Sequence, residues 1–160
     1  MTGRHDDQNA THYWAGGSAE HREASRAYLE LEGIRAQYLA GVKDPSLVDL
    51  DSWTIDTALI DRPGVGEIML DLLYDIRGNG PTFKAMKQFL RDRQPPTLVA
   101  AGVNHEIFPG EVQRQILTGL PGAEFHSLGT GHFALEDQAP EIARLTRGFL
   151  GRVLAAGLGS

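Results

Sequence analysis

The segment Gly129-Thr130-Gly131-His132-Phe133 sets a histidine behind glycines that let a loop approach a ligand closely. An imidazole is the side chain best suited to take and return a proton near neutral pH. Two more polar groups, His105 and Glu106, follow an apolar run at 97–102. A histidine with an acid beside it is the arrangement of a general base and its orienting partner. The group that such a base would activate is missing. A serine or aspartate nucleophile on a strained strand-to-helix turn needs the spacing Gly-x-Ser/Asp-x-Gly. The nearest approach, Gly16-Gly17-Ser18-Ala19-Glu20, has glutamate where the second glycine belongs and no strand before it. The chain has no cysteine, which removes a thiol nucleophile, disulfides and thiolate metal sites together.

The elements that must position these residues divide at Gln94-Pro95-Pro96. Before it the pattern is helical. Ser18 is a candidate N-cap for a helix running to Leu39, with Ala24, Tyr28, Leu31 and Tyr38 on one stripe and Gly41 as its stop. Asp44-Pro45 breaks the chain. Ser52 can cap a helix through Ile60, which ends at Arg62-Pro63-Gly64. A further helix spans Glu67 to Arg77, with Ile68, Leu72 and Ile76 aligned. Gly78-Asn79-Gly80-Pro81 reads as a breaker before a helix from Thr82 to Arg93. After the divide, 97–102 reads as a strand buried on both faces, because it lacks polar alternation. A helix over 109–117 and a second strand over 123–128 follow. Pro140 marks a helix start, with Ile142, Leu145, Phe149 and Val153 on its apolar face.

A strand–helix–strand unit of this kind is expected to be parallel and right-handed. Both strands then deliver their following loops to one edge of the sheet, where ligands of open α/β sheets bind. This brings His132 toward His105 and Glu106. The expected organisation is a leader at 1–17, a helical cap region at 18–94, an α/β part at 95–156 and a short tail at 157–160.

At 160 residues, with 41% hydrophobic and 22% charged residues, the composition is that of an ordinary globular protein. The net charge of −6 is diffuse and gives no reason to expect nucleic acid or an anionic membrane as partner. Met1 to Asn9 is polar, unlike a signal peptide, and no apolar run approaches the ~18 residues that span a bilayer. A cytoplasmic protein fits these features.

Two stretches resemble known sequences. Gln94 to Pro109 resembles the late core strand and acid loop of α/β-hydrolases of the epoxide hydrolase and haloalkane dehalogenase type. Leu120 to Glu136, containing Gly129-Thr130-Gly131-His132-Phe133, resembles their last strand and histidine loop. Asp51 to Asn79, with Ala58-Leu-Ile-Asp-Arg-Pro-Gly64 and Leu70-Asp-Leu-Leu-Tyr-Asp75, is similar to their helical cap. The resemblance covers about residues 18–152. It implies an α/β fold, in which a helical cap is followed by the C-terminal strand–helix–strand–helix part of the core with a truncated sheet. It implies a hydrolase without a cofactor, acting on a small hydrophobic substrate. His132 matches the family's base, which activates water against a covalent intermediate or activates a serine. Phe133 matches the aromatic residue that follows the base. Some caps of the family use a tyrosine to polarise an epoxide oxygen, which makes Tyr74 a candidate, but its helical spacing from Leu70 and Leu73 suits packing better.

The chain departs from the family in two ways. His105 stands where the family has an aspartate, and Glu106, one place later, is the nearest substitute acid. The first half of the core, with its nucleophile elbow, has no counterpart. The chain alone is therefore expected to be inactive, and to be completed by another copy or by a complementing N-terminal half. The other reading is a non-catalytic small-molecule-binding or interaction module derived from the fold, for which a histidine at the acid position is natural. A metal site is not expected. His105, Glu106 and His132 offer nitrogen and oxygen ligands, but no His-Glu-x-x-His spacing exists, and His5 and His12 lie in the leader. His126, within the second strand, reads as structural. Glu136 and Asp137 read as charges at a helix N-terminus.

Overall fold

The computed structural model of the chain describes residues 16–105, 108 and 110–157. The expected leader, with His5 and His12, lies outside these residues, apart from Gly16 and Gly17. So do Glu106 and the end of the tail. The chain forms two compact units. Among the described residues, one comprises 16–37 with Asp49–Ala85, and the other comprises Tyr38–Val48 with those from Met86 onward.

In the first unit, Ser18 caps helix α1 (Ala19–Ser25), its hydroxyl accepting from the His21 N–H at 3.1 Å. The single helix expected to reach Leu39 is instead broken. A 3-10 turn, Arg26–Leu29, leads to an extended Glu30, and α2 (Leu31–Leu39) starts anew. Gly33 explains the corner, because a Cβ there would fall on the carbonyl oxygen of Ala27. The Gln37 side chain then donates to the Tyr28 carbonyl at 2.9 Å, satisfying an acceptor that the broken helix no longer pairs internally.

Helix α3 (Leu50–Ile60) is capped by Asp49, whose carboxylate takes the Asp51 N–H at 2.9 Å, rather than by Ser52. Helix α4 (Val65–Asp75) starts from Gly64 at φ 82. The expected break at 78–81 is a 3-10 turn, Ile76–Asn79, running directly into α5 (Gly80–Arg93). Pro81 sits in the first turn of α5, where its missing N–H would have no helical partner. Ile34, Trp53 and Leu70 are buried in this unit. Arg22 binds Glu67 at 2.7 Å and Asp71 at 2.8 Å, while Arg26 binds Glu67 at 2.6 Å. Those guanidinium groups hold the Glu67 carboxyl below its ordinary pKa.

The second unit contains a two-stranded parallel sheet. Strand β1 (Leu98–Gly102) pairs with β2 (Glu124–Leu128) in the register Leu98↔Glu124 to Gly102↔Leu128. The connection carries the short helix α6 (Gly110–Arg114) and a 3-10 turn, Gln115–Leu117. Helix α7 (Ala134–Gly157) follows β2. Pro140 lies inside α7 rather than at its start. The helix is set further back because the Glu136 N–H already bonds the Phe133 carbonyl at 2.9 Å, so it begins directly behind the His132 loop. Tyr38, Val48, Ala101, Leu120, Leu128 and Leu145 are buried here. Among the described residues no helix is long and apolar enough to cross a membrane.

Candidate functional site

The C-terminal ends of β1 and β2 are zipped together beyond the strands themselves. The Val103 N–H donates to the Leu128 carbonyl and the Asn104 N–H to the Thr130 carbonyl, each at 3.0 Å. Gly102 is the residue that tolerates this closeness, since a Cβ on it would meet the Gly131 carbonyl oxygen. The two loops therefore leave the sheet side by side, as their parallel pairing requires, and they carry His105 and His132 with them.

The two imidazoles meet. Their ring centroids are 4.5 Å apart with planes tilted by 52°. His132 also touches Phe133 edge-on at 4.6 Å, and His105 touches Phe108 at 5.3 Å. The His105 loop is supported from below by Gln113, whose amide donates to the Gly102 carbonyl at 2.8 Å and to the Phe108 carbonyl at 2.5 Å.

His132 keeps an exposed side but loses water where the neighbouring rings cover it. This partial desolvation lowers its pKa below the ordinary 6.5. At neutral pH the ring is therefore uncharged, which is the form that accepts a proton. Glu106, the substitute acid suggested by the sequence, lies outside the described residues. Among the described residues no group of three or more His, Asp or Glu side chains is placed to hold a metal ion.

Residues far upstream in sequence complete the seat of this loop. Tyr38, at the end of α2, stacks on Phe133 with centroids 4.2 Å apart and planes 17° from parallel. A Cβ on Gly131 would strike the Ala40 carbonyl, and one on Gly129 would lie 2.9 Å from the Lys43 ammonium. The Asn104 side chain donates to the Gly41 carbonyl at 2.8 Å. Gly41 itself has φ +80, and a Cβ there would stand 2.7 Å from the Asn104 carbonyl oxygen. Nothing in the sequence marked Tyr38–Lys43 as part of a site. Tyr38 fitted a helical stripe and Gly41 fitted a helix stop, and both readings hold as far as they go.

Thr130 is fully buried, and its hydroxyl donates to Asp137 Oδ1 at 2.7 Å. Asp137 was legible only as a helix-terminal charge. Tyr74 belongs to the first unit, where the Arg77 guanidinium stands 3.9 Å over its ring and Gly17 lies against its edge. His126 sits in β2 with Nε2 3.6 Å from the Glu124 carboxylate, which is also gripped by Arg152 at 2.6 Å.

No family model matches the chain, and no solved structure matches it significantly. Among curated proteins the chain is similar to one from Saccharomyces cerevisiae named as an uncharacterized hydrolase, with 39% identity over 120 residues. The match takes in 72% of this chain and 40% of the yeast protein, so the chain spans about two fifths of the length of that relative.

Proposed function

We propose that the chain is the base-bearing part of a hydrolase of the α/β-hydrolase type, related to epoxide hydrolases, dehalogenases and esterases. His132 is its general base. The observation that carries this reading is the placement of His132 with His105, ring against ring at 4.5 Å, at the edge where both parallel strands end. Support also comes from the yeast relative's name and from the lowered pKa of His132, which keeps it in the accepting form. In the reaction, His132 takes a proton from water, and the water oxygen attacks the carbonyl carbon of a covalent ester intermediate. The bond to the product oxygen breaks, and the proton passes to that oxygen. Phe133 is proposed to present its half-buried ring to a small hydrophobic substrate.

The nucleophile that forms the intermediate is proposed to come from a polypeptide segment outside these 160 residues, because no Gly-x-Ser/Asp-x-Gly elbow occurs among them. The chain by itself is accordingly proposed to be inactive. The many exposed large apolar side chains, among them Leu72 at 58% and Leu154 at 63%, favour association with another copy or with such a segment. A non-catalytic binding module is favoured by one observation, the imidazole at the position where the resembling enzymes carry an acid.

The test is turnover by the purified chain of a panel of epoxides, haloalkanes and activated esters. The expected result is a rate equal to that of buffer, and equal again for His132→Ala. Turnover that disappears with His132→Ala would place a complete catalytic apparatus within the chain and overturn the inactivity claim.

A further inference from the structure

One residue, Gly131, separates His132 from Thr130, and Thr130 is the most constrained residue of the loop. It is 0% exposed. Its N–H donates to the Leu128 carbonyl at 2.8 Å, and its own carbonyl accepts from the Asn104 N–H at 3.0 Å. Its hydroxyl donates to Asp137 Oδ1 at 2.7 Å. A buried hydroxyl bonded to a carboxylate makes a short, charge-assisted hydrogen bond that is costly to break without replacement. Asp137 stands in the first turn of α7, where the helix N-terminus favours its charge. Its other oxygen accepts from the Gln138 side chain at 3.1 Å. The loop is thus fastened at one end to the sheet and at the other to the base of α7, with His132 between the two anchors.

We propose that Asp137 is a positioning residue for His132, acting through the Thr130 hydroxyl to hold the imidazole against His105 and Phe133. The proposal rests on the reading of His132 as a base only for its consequence in catalysis. The placement itself is tested without activity, so the two can fail separately.

The experiment is NMR of the imidazole ring protons in the full chain at about pH 8, where histidine is neutral and titration does not contribute. In the wild type, the rings of His105 and Phe133 displace the His132 resonances from those of His126, which lies in β2 beside Glu124. In Asp137→Ala and in Thr130→Val, which removes the donor with almost no change of shape, that displacement is expected to fall by at least half. Asp137→Asn, which keeps an acceptor oxygen for Thr130, is expected to retain it. The His126 resonances should be unchanged in all three variants. A folded Thr130→Val or Asp137→Ala chain with the wild-type His132 displacement would overturn the proposal, whatever its thermal midpoint. So would an Asp137→Asn chain that loses the displacement as fully as the alanine variant.

Discussion

At the residue scale the behaviour of His132 follows from what covers it. Desolvation lowers its folded pKa below the ordinary 6.5. The unfolded chain therefore binds a proton at a higher pH than the folded chain does. Folding stability contributed by the neutral ring is complete above 6.5 and is lost as pH falls from there toward the depressed folded value. Urea unfolding at about pH 7.5 and 5.5 should show a larger acid loss for the wild type than for His132→Gln, which cannot titrate. Equal losses would contradict the desolvation. The histidine was legible in the sequence because its glycine-flanked loop is distinctive. Its surroundings were not. Tyr38 comes from a helix more than ninety positions earlier, and stacking between residues so far apart leaves no local pattern.

At the element scale, each α-helix and strand of the described residues overlaps a segment that the sequence marks as such, through apolar spacing, breakers and caps, and parallel pairing held as expected. The errors fell where a backbone contact outweighs local preference. The helix expected to run unbroken from Ser18 turns a corner because Gly33 lets the chain fold back on Ala27. Pro140 looked like a start signal, but the loop–helix junction at Phe133–Glu136 set the first turn earlier. The same distinction between local and tertiary demands separates two glycines. Gly64 has φ +82 with nothing near its missing Cβ, so Gly64→Ala meets only backbone strain, about 1–2 kcal/mol. A Cβ on Gly131 strikes the Ala40 carbonyl, so Gly131→Ala must displace the segment under the His132 loop. Thermal or urea unfolding should therefore show a clearly larger loss for Gly131→Ala. Equal losses would mean that the seat formed by Ala40 and Gly41 yields without cost.

At the scale of the whole molecule, the second unit combines a parallel pair of strands with the two loops that leave them, and the His132 loop is seated on described residues of that unit, Tyr38 and Ala40 among them. Under the proposed function, the group that His132 serves comes from outside these 160 residues. The matched stretch covers 40% of the yeast relative, and the proposed nucleophile is to be sought in a segment corresponding to the remainder. The central claim, that His132 is the base of a hydrolytic site, is tested most directly by exchange. The matched stretch of the yeast hydrolase is replaced by the corresponding part of this chain, and turnover is measured on any substrate that the unaltered yeast protein hydrolyses. The account predicts that the exchanged protein hydrolyses the substrate and that His132→Ala lowers kcat by roughly a hundredfold to ten-thousandfold, the range expected for loss of a general base. An exchanged protein that keeps its rate when His132 is removed would contradict it.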